Sequence, residues 1–396
     1  MIRLDKTAIL NKCLLFILML PVIGVMNFRR DIVGFPNLGF VSRILDYLLV
    51  IDAGIIGIYI LFNLLHRKYF FCMNTVLILI IYVYILVRTF LVDFSTERAI
   101  ISMLIIIPFL DIFIKSMDEV CCIADVLGMF NWLNFISVLS WHGVGGLRYY
   151  SYITNRFWSY NYLLGYDNGF IVLILPLICL SWISYNYTGK KKYIINIIIS
   201  VMTEIIILSA GSLIALFFFA LLCIFSKSKY ISSFIHKPVI NMAVLTVGSF
   251  ALVVFKIFNL MDNVVMTFLG KNLSGQRALL WETGYQRFKV HPFFGYGFGN
   301  VVLAGGYNAP HQMMLDWLLQ GGIIEFVLFF VLLFLTFHML SKRNSKNALI
   351  IYNGIFSFLL AYLAESYSHY TYYWIFLMLC IIANKMYKGE IYDYEK

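Results

Sequence analysis

The sequence predicts an all-α fold, a polytopic transmembrane helical bundle of about 12 spans at about 20 residues each. Three observations predict it. Hydrophobic residues fill 62% of the 396 positions and the mean hydropathy is +0.86, against roughly 45–50% apolar content in soluble chains. The apolar residues fall into runs long enough to cross a bilayer. Short turns rich in Lys and Arg separate the runs, and such turns set orientation in a membrane.

In chain order the candidate spans are 8–26, 41–65, 69–92, 98–114, 121–141, 163–186, 193–209, 212–226, 239–260, 313–340, 347–364 and 369–386. The first has Lys6 and Lys12 at its start and no small-x-small cleavage site after Met26, so it reads as a retained helix and not a removed signal peptide. With the N-terminus inside, the inner turns carry Arg67-Lys68, Lys115, Lys190-Lys191-Lys192, Lys227, Lys229, Lys237, Lys342-Arg343, Lys346, Lys385 and Lys388. That excess makes both termini cytoplasmic. The domain plan is spans 1–9 in 1–260, one large extracytoplasmic loop at 261–312, and spans 10–12 with a short cytoplasmic tail in 313–396.

The net charge of +10 is explained by the membrane-flanking turns. No soluble basic domain exists to hold nucleic acid, so none is expected as a partner. The seven cysteines, Cys13, Cys72, Cys121, Cys122, Cys179, Cys223 and Cys380, lie in or beside apolar runs without metal-ligand spacing and read as buried free thiols. Charged residues inside spans are few: Asp46, Asp52, Arg88, Asp111, Asp125, Glu204 and Lys256. Such groups face the bundle interior and pair. Asp46 with Arg88 is the expected ion pair, with an ion or proton path as the alternative.

The outer turns use Arg more than Lys. Either Lys is simply the retention signal, or the outer guanidiniums meet phosphate through paired, directional hydrogen bonds. Arg148 and Arg156 sit in an aromatic outer segment that suits either the bilayer interface or sugar stacking.

The loop and its exit are the polar exception in an apolar chain. They read S-G-Q-R-A-L-L-W from 274, H-P-F-F-G-Y-G-F-G-N from 291, and H-Q-M-M-L-D-W-L-L-Q-G-G from 311. Outer histidines are His142, His291, His311 and His369. Outer carboxylates are scattered: Asp31, Asp93, Glu97, Asp167, Asp262, Glu282, Asp316 and Glu365, with no D-x-D among them. A hard cation wants several oxygen ligands together, so a metal is not expected, and no cofactor is called for.

Arg with His suits a reaction with an anionic leaving group and a proton to remove. His311 is the first candidate for the base, at the point where the loop re-enters the membrane. Its alternative is a surface histidine. His291, before Pro292, reads as a turn element. G-Y-G-F-G-N lacks the flanking strand and βαβ unit of a dinucleotide fingerprint. Gly295, Gly297, Gly299 and Asn300 read instead as backbone that can approach a substrate closely.

On these three motifs the chain resembles the O-antigen polymerase (Wzy) and O-antigen ligase superfamily of bacterial envelope proteins. The resemblance implies metal-independent glycosyl transfer from undecaprenyl-diphosphate-linked oligosaccharide at the outer face of the cytoplasmic (inner) membrane. It implies Arg277 on the diphosphate and His311 as the base. Arg148, Arg156, Arg287, Gln312 and the loop glycines are the expected binding residues, and a chain-length regulator is a candidate partner. Two departures are visible: Gln312 stands where Asn is commoner, and Ser209-Ala210-Gly211 lacks an expected Arg. Polymerase is the preferred reading. A ligase differs only in acceptor, and a lipid-oligosaccharide transporter is the alternative of another class, against which the single large outer loop argues.

Overall fold

The computed structural model describes residues 6–23, 32–33, 39–66, 69–93, 98–142, 147–151, 156–166, 169–253, 275–343, 345–368 and 372–391. Fourteen helices occupy them: α1 (Lys6–Ile23), α2 (Gly39–His66), α3 (Met73–Asp93), α4 (Arg98–Phe113), α5 (Met117–His142), α6 (Ile171–Thr188), α7 (Lys192–Ile207), α8 (Ala210–Phe225), α9 (Lys229–Ile235), α10 (Pro238–Val253), α11 (Gly275–Val290), α12 (Met313–Arg343), α13 (Lys346–Tyr362) and α14 (Trp374–Lys388). This is a helical membrane protein. Helices α2, α3, α5, α6 and α12 are long and apolar enough to cross a bilayer, and α9 with α10 adds a sixth if that pair, bent by 58°, is one span. Each of the twelve apolar runs contains a helix among the described residues, although the sixth (163–186) becomes helical only from Ile171, after β4.

The chain also holds one small sheet, which the helical expectation did not include. Strands β1 (Ile32–Val33), β2 (Leu147–Ser151), β3 (Arg156–Tyr162) and β4 (Gly165–Tyr166) pair antiparallel in that order. Tyr, Trp and Phe alternating with small and polar residues in 147–162 suit a pleated, half-solvated ribbon.

Helices apolar on every side belong at the centre of a bundle. Here α6 is buried almost throughout from Ile171 to Ser184, and α14 without a break from Trp374 to Met386. Around them α12 packs on α3, α13 and α14, while α13 packs on α6 and α8. Outer helices turn Ile55, Ile58, Leu61 and Leu65 of α2 outward, as a lipid-facing surface requires.

Contacts between helix ends define two faces. On one, Asn186 at the end of α6 donates to Asn347 at the start of α13 (2.8 Å), and Lys385 near the end of α14 pairs with Asp111 near the end of α4 (3.0 Å). This face collects the lysines of the turns. Asp125 of α5 is held there by Lys12 (2.5 Å) and Lys192. The other face carries the far ends of α3 and α13, with α11 and the polar loop.

Of the expected Asp46–Arg88 pair, only the arginine's side chain is among the described residues. Arg88 donates Nε and Nη2 to the Gly295 carbonyl at 3.2 and 2.8 Å, so it fastens the loop to α3. The side chain of Asp46 and all of Lys256 lie outside the described residues. Asp52 and Glu204 are buried. The cysteines are free thiols, buried or nearly so except Cys13, which is exposed on the outer side of α1.

Candidate active site

The polar segment builds its own helix. Positions 280, 281, 284 and 288 recur at the three-to-four spacing of one helical face. That face lays Leu280 and Trp281 against Leu315 and Leu319 of α12. Gly284 permits the approach, since a Cβ there would lie 2.9 Å from the Leu315 side chain. The packing carries Arg277, in the first turn of α11, to the start of α12, where His311 stands.

These two residues meet through a third. Glu365, just past α13, takes His311 Nδ1 on Oε1 and accepts from Arg277 Nη2 on Oε2 at 3.1 Å. Its carboxyl is only 9% exposed, while His311 and Arg277 are 26% and 28% exposed. The site is therefore dry behind and open in front. Burial alone would raise the Glu365 pKa, but the charges and hydrogen bonds of His311 and Arg277 outweigh it and hold the carboxyl down at about 2. For His311, burial pulls downward and Arg277 repels the proton, yet the Glu365 carboxylate wins and lifts the imidazole above its usual 6.5. A carboxylate on Nδ1 keeps the proton there and leaves Nε2 as the basic nitrogen. His311 also has φ +52°, a left-handed conformation uncommon outside glycine and found at functional sites.

Glu365 is itself held in place. Three residues on, Ser368 donates Oγ to Asp316 Oδ2 at 2.6 Å, and Gln320 of α12 donates to Asp316 Oδ1 at 3.0 Å and to Ser368 Oγ at 3.2 Å. Ser368 N–H donates to Tyr362 Oη at 3.0 Å. This buried network ties the 365–368 segment to α12 one turn below His311.

The glycine loop has a structural partner. α12 is broken at Gly322, where φ is +69° and ψ is −159°. Into the break the loop donates Tyr296 N–H to Leu319 O (2.7 Å) and Gly297 N–H to Gln320 O (2.8 Å), and it accepts Ile323 N–H on Pro292 O (2.8 Å). A Cβ on Gly295 would sit 2.5 Å from the Gln320 oxygen. So Gly295 and Gly297 face α12 and α3, and Phe298 N–H donates to Thr89 Oγ1. Gly299 has φ +71°, and Asn300 Nδ2 is buried without a hydrogen-bond partner among the described residues.

Gln312 is fully buried, and its Oε1 accepts from Leu315 N–H at 2.6 Å, capping α12 as a shorter Asn would. Arg287 is exposed in the last turn of α11 and accepts the Tyr296 hydroxyl on its carbonyl. It stands ten residues along that helix from Arg277, about 15 Å at the usual rise. His291 follows as a turn residue against the Tyr296 ring. Arg148 and Arg156 fall on the adjacent strands β2 and β3, and their side chains lie outside the described residues. So do His369 and the side chain of His142. Gly211 of the Arg-lacking turn sits 3.2 Å, by a notional Cβ, from Tyr367 Oη, near the site. Among the described residues no three His, Cys, Asp or Glu groups gather to hold a metal ion.

Sequence reasoning had Glu365 among the outer carboxylates but gave it no role. The available signal was an acid inside A-E-S-Y-S-H-Y, directly after an apolar helix.

A multi-pass helical protein with a His–carboxylate–guanidinium cluster at one membrane face has the makings of a membrane transferase. Residues 195–330 match the Wzy_C family model, described as O-Antigen ligase, which supports placing this region, with Arg277 and His311 inside it, in the O-antigen polymerase and ligase superfamily. No curated protein matches the chain. The match supports reading the chain as a membrane glycosyl-transferring enzyme of that general kind.

Proposed function

We propose that this chain polymerises a surface polysaccharide by joining undecaprenyl-diphosphate-linked oligosaccharide repeat units. The observation that supports it most is the Arg277–Glu365–His311 cluster. In this reading His311 Nε2 takes the proton of the acceptor hydroxyl, whose oxygen attacks the anomeric carbon of the donor sugar. The bond from that carbon to the diphosphate oxygen breaks, and its electron pair leaves with the diphosphate. Arg277 meets the developing charge, which fixed donors in a dry site stabilise best. Arg148, Arg156 and Arg287 are proposed to hold the rest of the substrate, the loop backbone being engaged with α12 and α3, and no metal or nucleotide takes part.

The lysine-rich face is read as cytoplasmic, with both termini there, about twelve spans at about 20 residues each, and the 261–312 loop outside the inner membrane. Ligase activity, with a lipid core as acceptor, is the second reading, favoured by the description of the matched family.

The test is purified protein with lipid-diphosphate repeat unit and no nucleotide. A ladder of products supports the polymerase. A single transfer to lipid core supports the ligase, and movement of substrate across a vesicle without a new bond would replace both with a transporter.

A further inference from the structure

Between α8 and α10 the chain does not turn straight back. It reads S-K-S-K-Y-I-S-S-F-I-H-K from 226, and the middle of that stretch is α9. Pro238 opens α10 and has no N–H to carry the α9 ladder onward, so the two helices meet at 58°. α9 therefore leaves the direction of the spans.

The inner side of α9 is fixed to the bundle. His236, buried just past its end, donates Nδ1–H to Ser232 O at 2.8 Å and meets the Asn353 side-chain amide through Nε2 at 2.9 Å. Its ring packs edge-on against Tyr352, centroids 4.8 Å apart. Asn353 stands seven residues inward of Lys346, where α13 begins, roughly 10 Å at the usual helical rise. Interfacial helices lie at about that depth, where headgroups give way to acyl chains.

The outer side is both apolar and basic. Tyr230 is 89% and Phe234 60% exposed, and Lys227, Lys229 and Lys237 are exposed with them. The chain has no Asp or Glu from 205 to 261, and among the described residues none of these three lysines forms an ion pair. Water would leave the rings uncovered, and hydrocarbon would strand the ammonium groups. A headgroup layer satisfies both, and acidic headgroups complement the charge.

We infer that α9 is an interfacial docking element for anionic phospholipid in the leaflet at the lysine-rich face. Tyr230 and Phe234 dip toward the acyl chains, and Lys227, Lys229 and Lys237 meet headgroup phosphates. The inference stands independently of the polymerase reading.

The full chain with Cys13→Ser, which removes the exposed native thiol, would carry a bimane fluorophore at Phe234→Cys in phosphatidylcholine bilayer discs. A nitroxide shallow on a lipid chain is expected to quench this probe more than a deep one, the reverse of a probe at Val244→Cys in α10. Shallow nitroxide on phosphatidylglycerol should quench at least about fivefold more effectively than on phosphatidylcholine, the contribution of a single lysine at a membrane surface. In Lys227→Gln/Lys229→Gln/Lys237→Gln that ratio should fall close to one with the depth unchanged. Lys190→Gln/Lys191→Gln, on the same face but away from α9, should keep it.

Quenching only by a water-soluble nitroxide would overturn the inference and give this face to solvent or a soluble partner. A depth pattern like that of Val244→Cys would overturn it by making α9 part of a span. Equal quenching by the two lipids, a triple variant that keeps the ratio, or a control that loses it would remove the anionic headgroup. Tyr230→Cys carries the same measurement if thermal melting shows Phe234→Cys to be misfolded.

Discussion

Two clusters of a carboxylate with cations sit at opposite faces of this bundle, and they differ in access. At the lysine-rich face Lys385 and Asp111 are 1% and 0% exposed and 3.0 Å apart. Asp111 Oδ2 accepts from Cys72 N–H, Tyr69 Oη bridges the aspartate and the lysine, and Lys385 reaches one exposed partner, Glu390, at 3.3 Å. At the other face Glu365 is 9% exposed, and both its partners are about a quarter exposed. The closed cluster fastens α4 to α14. The open one presents an imidazole and a guanidinium to whatever enters. Chemistry of the same kind makes a lock when it is sealed and a reactive surface when one side is left wet.

The comparison breaks most visibly at His311. His311→Ala should lower elongation by about 10²–10⁴-fold, the usual worth of a positioned acid–base group, with membrane insertion near normal. A ladder of ordinary length from this variant would remove the base. At the sealed cluster the effect should appear as stability. Lys385→Met strands Asp111 and should cost about 3–5 kcal/mol, measured by thermal unfolding in detergent, while turnover per folded molecule stays close to the parent. Asp111→Leu combined with Lys385→Met should recover most of that loss, because a buried pair replaced by packed apolar groups is often neutral.

Arg277→Lys tests the paired geometry and should reduce turnover about 10²-fold, as loss of one charge-stabilising donor does. Near-parental rates would mean that a point charge suffices. The subtlest expectation concerns pH. Because His311 titrates above its usual 6.5, its basic form appears only as pH rises through that elevated value, and activity should climb there. Glu365→Gln removes the cause, so the rising limb should move to lower pH. An unmoved limb would show that the carboxylate does not govern the imidazole. The same pair stabilises the fold most between the ordinary carboxylate pKa of 4.5 and the ordinary imidazole value of 6.5. Glu365's share is lost as pH falls through about 2, and His311's as pH rises through its raised value.

How much of this was legible follows from what each residue's neighbours are. The apolar helices could be read because a bilayer demands long uniform runs. Arg277 and His311 stood out as candidates because they lie in compact motifs beside glycine and proline. Glu365 could not, since it reaches His311 across 54 residues of chain and only packing of α12 against α13 joins them. Helix α11 was hidden by its polarity: its apolar face is a narrow strip on α12. The loop carbonyl that Arg88 grips could not be read, because Gly295 lies 207 residues further along the chain.

The break at Gly322 has a bearing on how the molecule is assembled. Within hydrocarbon every main-chain polar group needs a partner, and here the acceptors of Leu319 and Gln320 and the amide of Ile323 bond to residues 292–297. The segment made just before α12 must accompany it into position, so biogenesis couples that helix to its own upstream connector. A chain in which the connector is delayed should stall with α12 outside the lipid and fall to quality-control proteolysis.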